Sequence, residues 1–467
     1  MSIEAFFKPK SVAVVGVSQE PKKFGHVIFK NFATSKFKGK IYPVNPKAET
    51  ILGFKAYPNL IEIPDQIDLA VIAVPAPIVP RTIDECLSKE VKASVIVSGG
   101  FKEANEKGAK LEFEIKQKIA GTNLRIIGPN CIGVYDPSNH VDTMFLPTDR
   151  LRRPKLGSIA LITQSGAFGS AVLDWASAQG IGISKFISIG NKIDVDEIEL
   201  LNYLADDPLT TCITLYVESI DRGRDFLKAA SEVTTKKPIV VLKGGTTPEG
   251  AGAALSHTGS MAGTANIYRG AFEQAGAIQA QNLADLFDYA RALAYQPTPK
   301  TQADLAIITN GGGFGVISTD DASRLGIKLA RLGQETLKTL KENLPEYAIV
   351  RNPLDLVGDA DAERYRMALQ AVSSDPNVGI ILVITLPQTA YFGSDVVDVI
   401  AKNQATDHKP IIACSIGGFF TKVMAKKFEK NHIPAYEAPE RAVNAVNALL
   451  MYRKVLEDKQ KRKQTPA

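Results

Sequence analysis

The sequence predicts an α/β protein made of three doubly wound parallel-sheet domains. Short apolar runs alternate with longer helical patterns along almost the whole chain, and a strand–turn–helix unit of the middle third returns in the last third. Such alternation suits βαβ units, whose crossover helices cover both faces of a parallel sheet. A chain of 467 residues also fits about three domains, at roughly 100–200 residues each.

In the first third the predicted strands are residues 11–16, 40–44, 68–74, 93–98 and 125–127. In the second they are 158–163, 185–188, 212–217 and 239–242, and in the last 305–309, 378–384 and 411–414. Two stretches read as exposed connections: the charged run from Asp149 to Pro154, and the proline-bracketed run from Gln296 to Lys300. They place domains at 1–148, 149–296 and 297–467, the first Rossmann-like and the others flavodoxin-like.

The repeat is the most informative feature. Residues 159–181 align without a gap on 305–327, and eleven of the 23 positions are identical. Each copy is an apolar strand, a small-residue turn (Gln164-Ser165-Gly166 or Asn310-Gly311-Gly312-Gly313) and a helix. Backbone N–H groups at such a turn approach a ligand closely, and the helix start carries partial positive charge. Two matching turns can aim two helix starts at one phosphate.

The first domain opens with a strand and a small-residue turn, Gly16, Ser18, Pro21, Lys22, Lys23 and Gly25. It is not a G-x-G-x-x-G fingerprint. A dinucleotide site also wants an acidic residue after the second strand for the ribose diol. That strand ends instead in Val44-Asn45-Pro46-Lys47. Asparagine and lysine there fit a ligand with an extra phosphate on its ribose, either CoA or NADP. Further strand ends, Val74-Pro75, Ser98-Gly99-Gly100 and Gly128-Pro129-Asn130, can line the same crevice.

Five histidines occur, at 26, 140, 257, 408 and 432, and none has metal-ligand spacing; no metal site is expected. His257 differs from the others. It sits in the stretch 244–263, rich in Gly, Ala, Ser and Thr, after the predicted strand 239–242. A histidine on such a loop near a phosphate site is a candidate nucleophile. Its other ring nitrogen must be held, and a carboxylate usually does this. Glu218, at the end of the neighbouring strand 212–217, lies on the same sheet edge and is the candidate.

Net charge is +5, with much of the excess in the tail 459–463. With one Trp and no basic-aromatic stripe, nucleic-acid binding has no support. No apolar run reaches membrane-spanning length, and the N-terminus lacks a signal-peptide core. Cys86, Cys131, Cys212 and Cys414 form no CxxC pair and fit reduced structural thiols. These features predict a cytoplasmic protein.

Gly16-x-Ser18-x-x-Pro21-x-Lys23-x-Gly25, Gly128-Pro129-Asn130, Thr163-Gln164-Ser165-Gly166, Ser256-His257-Thr258-Gly259 and Asn310-Gly-Gly-Gly-Phe-Gly315 occur together. In this combination the chain resembles the α subunits of ADP-forming acetyl-CoA synthetases, in the succinyl-CoA synthetase superfamily. The resemblance covers about residues 1–455. It implies CoA contacts at Gly16, Ser18, Pro21, Lys22, Lys23, Val44, Asn45, Lys47, Val74, Pro75, Ser98, Gly99, Gly100 and Asn130. It implies phosphate at Gln164, Ser165 and Gly166 and at Asn310, Gly311, Gly312 and Gly313. It makes His257 the residue phosphorylated and Glu218 the residue that orients it. The implied reaction is acyl-CoA + phosphate + ADP = free acid + CoA + ATP, with acetyl the default acyl group. CoA, acyl-CoA and phosphate are then substrates of this chain. ADP/ATP with Mg fall to an ATP-grasp β subunit in an α2β2 heterotetramer, because no ATP-grasp domain or Walker A motif is seen here. Two rival readings are an acyl-CoA-binding sensor module and an NADP-linked oxidoreductase; titration with CoA and NADP separates the oxidoreductase from the sensor and from the ligase.

Overall fold

A computed structural model describes residues 3–250, 252, 265–300, 304–407 and 409–464. His257 and His408 lie outside the described residues. The chain divides into two compact units, Met1–Gln279 and Ala280–Ala467.

The first unit carries two sheets. The first is built from β1 (Ser11–Val15), β2 (Lys40–Val44), β5 (Leu69–Ile72), β6 (Ala93–Ile96) and β7 (Arg125–Ile127), with a small separate hairpin of β3 (Thr50–Ile51) and β4 (Phe54–Lys55). All pairings in the order β2-β1-β5-β6-β7 are parallel. Every residue of β1, β5 and β6 is buried. Burial on both faces is why these strands read as continuous apolar runs rather than alternating ones.

The second sheet runs β14-β13-β12-β10-β11-β8-β9. Its members are β8 (Val134–Asp136), β9 (Val141–Asp142), β10 (Leu156–Thr163), β11 (Ile183–Ser188), β12 (Cys212–Val217), β13 (Ile239–Lys243) and β14 (Ile278–Ala280). One edge departs from the parallel expectation: β8 pairs antiparallel with both β11 and β9. The hairpin is short and carries buried acids where apolar residues would have marked a strand. Asp136 lies 3.6 Å from the buried Lys185 ammonium, and Asp142 takes a 2.7 Å ion pair from Arg153. The expected cut at 148/149 falls after this hairpin, although the hairpin belongs to the second sheet. One hydrophobic core runs through both sheets, containing Val12, Val14 and Leu69 together with Ala160, Ile162 and Ile213.

The second unit has its own sheet, all parallel, of β15 (Leu305–Thr309), β16 (Leu354–Asp355), β17 (Ile380–Thr385), β18 (Ile411–Ser415) and β19 (Ala435–Tyr436), ordered β16-β15-β17-β18-β19. Its core includes Ile308, Leu369, Val383 and Phe428. The helix Leu283–Tyr295, placed before the expected cut at 296/297, lies in this unit.

Counted from β1, β10 and β15, and setting the hairpins aside, each sheet has the order second-first-third-fourth-fifth. Each therefore has a switch point between its first and third strands, where the carboxyl ends open a crevice. The repeat is visible at the atomic level. Thr163 donates its hydroxyl to the Ser165 carbonyl (2.8 Å), and Thr309 donates likewise to Gly311 (3.1 Å). The helices Gly166–Gln179 and Gly312–Arg324 start at the same spacing beyond.

Candidate functional site

The first switch point lies between β1 and β5. Gly16 follows β1 at φ +91°, and a Cβ there would stand 2.6 Å from the Ala73 carbonyl oxygen. Only glycine allows the two strand ends to approach this closely. His26 Nδ1 lies 2.7 Å from the Ser18 carbonyl and fixes that turn. Asn45 donates its amide to the Val17 carbonyl (2.6 Å) and accepts from the Lys47 backbone N–H (2.7 Å). Ser98 donates to the Val74 carbonyl (2.5 Å) and accepts at its own carbonyl from the Asn130 N–H (2.8 Å). The turns after β1, β2, β5, β6 and β7 are thus tied along one sheet edge. They carry Gly16, Ser18, Val44, Asn45, Val74, Pro75, Ser98, Gly99, Gly100 and Asn130, with Pro21, Lys22, Lys23 and Lys47 exposed beside them. The Asn45 amide and the Ser98 hydroxyl position backbone. In the turn after β6, the N–H groups of Gly100 and Phe101 both donate to Glu103 Oε1 (2.6 and 3.1 Å).

The second switch point lies between β10 and β12. Gln164 Oε1 accepts the backbone N–H groups of Glu218 (2.8 Å) and Ser219 (3.1 Å), and its amide donates to the Ser219 hydroxyl (3.2 Å). Ser165 caps the following helix by accepting from the Phe168 N–H (3.3 Å). Glu218 is 6% exposed. One of its oxygens accepts from the Tyr216 hydroxyl (3.3 Å); the other, Oε2, is buried with no hydrogen-bond partner among the described residues. A carboxylate oxygen left so is costly unless something else donates to it. A Cβ on Gly244 would lie 2.7 Å from the Tyr216 hydroxyl and 3.5 Å from Glu218 Cγ. The glycine-rich stretch therefore leaves β13 directly beside this carboxylate. Buried Lys243 donates to the Gly244 carbonyl and sits 4.6 Å from the Tyr268 ring centre. Burial holds its pKa below the usual lysine range, with Glu218 opposing the shift.

A cavity of about 710 Å³ joins the two edges: Gly99 and Asn130 line it from the first sheet, Gln164, Ser165, Gly166 and Glu218 from the second. In the other unit, Asn310 takes the role of Gln164. Its side chain accepts from the Leu386 N–H (2.8 Å) and donates to the Leu386 carbonyl (3.1 Å), tying β15 to the end of β17. A Cβ on Gly312 would meet Asp355 Oδ2 at 2.5 Å, whereas Gly313 faces open space. In both turns the amide side chain braces the neighbouring strand, which leaves the backbone N–H groups at the helix start to meet an anion.

Residues 10–137 match the family model of a CoA binding domain, and residues 156–293 that of a succinyl-CoA ligase like flavodoxin domain. Along 97% of its length the chain is 40% identical to the acetate–CoA ligase [ADP-forming] I subunit alpha of Pyrococcus furiosus, covering 98% of that protein. The chain belongs to the ADP-forming acetate–CoA ligase family. It is also 40% identical, over 97% of its length, to acetate–CoA ligase [ADP-forming] I of Archaeoglobus fulgidus, and spans 64% of that protein. A solved acetyl-coenzyme A synthetase 1 of Ca. Korarchaeum cryptofilum, described as dinucleotide forming and in complex with phosphate and ADP, superposes with a TM-score of 0.91 at 37% identity; the match covers 98% of this chain and 99% of that one.

In this ligase-family chain four charged or amide-bearing cavity residues escaped the motif reading: Lys102, Glu103, Asn191 and Lys192. Asn191 donates to Glu103 (2.6 Å) and Glu112 (2.8 Å) and accepts at its side chain from Asn130 (3.4 Å). Glu103 is pushed up by burial, but Asn191 and the Gly100 and Phe101 N–H groups hold it below the usual carboxylate range overall. These residues sit on loops with no motif, and only their long-range hydrogen bonds assign them a place. A positive φ of 58° at Lys192 marks the tight loop. Among the described residues no group of three or more His, Cys, Asp or Glu is placed to hold a metal ion, and no helix is long and apolar enough to cross a membrane.

Proposed function

We propose that this chain is the catalytic α subunit of an ADP-forming acyl-CoA synthetase, with acetyl the default acyl group. CoA lies along the first switch point, its phosphates among Lys22, Lys23 and Lys47 and its thiol end reaching Gly99 and Asn130. Phosphate rests on the helix start at Ser165-Gly166, and the matching helix start at Gly312-Gly313 of the other unit is a phosphate-binding turn in its own right. The phosphate at Ser165-Gly166 attacks the thioester carbonyl, the C–S bond breaks, and CoA leaves from an acyl phosphate. His257 takes the phosphoryl group and frees the acid. The phosphohistidine passes the group to ADP, bound with Mg on an ATP-grasp β subunit, in an α2β2 assembly in the cytoplasm. The functional division is three-part, 1–148 for CoA, 149–296 for the phosphohistidine step and 297–467 for the second phosphate turn, although the β8–β9 hairpin belongs to the second sheet and the helix Leu283–Tyr295 to the second unit.

The observation that carries this reading is Glu218 Oε2, buried in the cavity beside the Gln164 turn and the start of the glycine-rich stretch, with no hydrogen-bond partner among the described residues. A neutral imidazole with one N–H would complete that acceptor and present its other nitrogen as nucleophile. The relatives are named as ligases over the whole chain, which favours catalysis over the sensor reading. The test is to incubate the chain with acetyl-CoA and radiolabelled phosphate beside the His257→Ala variant. Acid-labile, alkali-stable label on the parent alone is the expected result. Equal labelling of both, or label at another residue, removes His257 from the mechanism.

A further inference from the structure

The wall of the cavity that faces the phosphate turn is apolar. Ile132 is 3% exposed, and its Cγ1 lies 3.4 Å from where a Cβ on Gly166 would stand. Its backbone N–H donates to the Ser188 hydroxyl (3.2 Å), so its position is fixed by β11. Phe145 and Phe24 stack at 4.1 Å between ring centres, and Phe24 is 52% exposed. Leu146 and Ala167 complete the lining on this side. Two cations also line the cavity, and both are engaged. Lys192 donates to the Ser219 carbonyl (2.9 Å) and pairs with Glu197 (3.4 Å); Lys102 donates to the Asn191 carbonyl (2.9 Å) and pairs with Glu112 (3.5 Å). Glu103 and Glu218 add negative charge to the same lining.

We propose that this wall is the acyl subsite, that it takes an uncharged acyl chain, and that Ile132 sets the chain's bulk. The proposal rests on the functional reading above, which puts the thioester carbonyl beside Ser165-Gly166. A substituent on a carbonyl at that point projects against Ile132. The Phe24–Phe145 pair closes the outer side, with Phe24 as the rim. A free carboxylate on the acyl chain, as in a succinyl group, would meet apolar carbon, two carboxylates and, among the described residues, no lining cation free to pair with it. Burying an unpaired charge there is strongly unfavourable. An uncharged branched or aromatic chain meets only a steric limit, and a pocket change of one or two methylenes shifts selectivity by about 10–200-fold.

The test uses the full chain with acetyl-, isobutyryl-, phenylacetyl- and succinyl-CoA. Phosphate-dependent CoA release and calorimetric binding are measured side by side for the parent, Ile132→Val, Ile132→Ala and Ile132→Phe. The smaller side chains are expected to raise the isobutyryl- or phenylacetyl-to-acetyl selectivity by about 10-fold or more, graded Val then Ala, and phenylalanine to reverse it. Succinyl-CoA is expected to bind no better than CoA itself in all four. The ratio of two substrates on one protein is insensitive to a general loss of folded protein, and the valine variant covers the case in which alanine does not fold. Turnover with selectivity unchanged across the series, or ready use of succinyl-CoA, overturns the proposal and leaves the ligase reading standing. Acyl-dependent binding that tracks residue 132 with no CoA release keeps the subsite and overturns the catalytic reading instead.

Discussion

Glu218 gathers three separate constraints. Its backbone N–H is held by Gln164, its Oε1 by Tyr216, and its Oε2 is left for a donor not among the described residues. Glu218→Gln keeps the volume and the tyrosine contact but removes the charge. With His257 as the donor of the reading above, phosphoenzyme formation is then expected to fall on the order of 100-fold. Rapid-quench labelling beside the parent measures it; an unchanged rate means Glu218 does not act on the nucleophile. Glu218 was legible in the sequence because it ends an apolar strand next to a glycine-rich stretch. Asn191 and Glu103 were not, since these loop residues are joined to the cavity by partners 61 to 88 positions away.

Among the elements, the long buried strands were legible and the short edges were not. β1, β5, β6, β10, β12, β15, β17 and β18 each announce themselves by an apolar run that needs no alternation. β14, β16 and β19 have two or three residues, too few to carry a period. The β8–β9 hairpin is hidden because buried Asp136 and Asp142 replace apolar residues. The helix Glu197–Asp206 illustrates a cap with a titration built in. Asp196 accepts from the Ile198 N–H (2.8 Å) while Glu199 accepts from the Asp196 N–H (3.2 Å), a reciprocal capping box. Burial, then the neighbouring Glu199 and Glu197, push the Asp196 carboxyl up to about 7. An acid raised in the folded state binds its proton more tightly there than in the unfolded chain. Its contribution to stability is thus present below the ordinary carboxylate range and lost as pH rises through about 7. Asp196→Asn retains the cap, since asparagine is as good an N-cap as aspartate, and deletes the titration. Between pH 5 and 8 the parent's melting temperature is expected to decline more steeply than the variant's. Parallel curves would assign the slope to other groups.

Across the whole molecule, the cohesion of the first unit rests on a core shared by its two sheets and on buried charge. Lys185, on β11, is 1% exposed at its side chain. It lies 2.9 Å from Asp207 and 3.6 Å from Asp136, with the Phe7 ring 5.6 Å away. Phe7 also stacks on Tyr203 at 5.1 Å, so the N-terminal segment, the hairpin and the helix Glu197–Asp206 converge on one ammonium. Burial pushes the Asp207 carboxyl up, but Thr210 and Lys185 outweigh it and hold it below the usual range. That contribution is present above the ordinary carboxylate range and is lost as pH falls through the lowered value. Lys185→Met keeps the apolar stem and removes the charge, leaving two buried carboxylates facing each other. The expected cost is about 3–5 kcal/mol, seen as a lower melting temperature that partly recovers as pH falls and the acids protonate. Combining it with Asp136→Asn and Asp207→Asn should restore most of the loss, because polar amides carry no unpaired charge. The same geometry makes residue 148 a poor place to divide the chain. A fragment of residues 1–148 keeps Asp136 and Asp142 but loses Lys185 and Arg153, and it exposes the half of the core that Ile162 and Ile213 cover. A fragment of residues 1–279 keeps all of these. The longer piece is expected to unfold in one cooperative transition and the shorter to be insoluble or to melt without one; two well-folded fragments of equal stability would mean the first sheet stands alone and the shared core adds little.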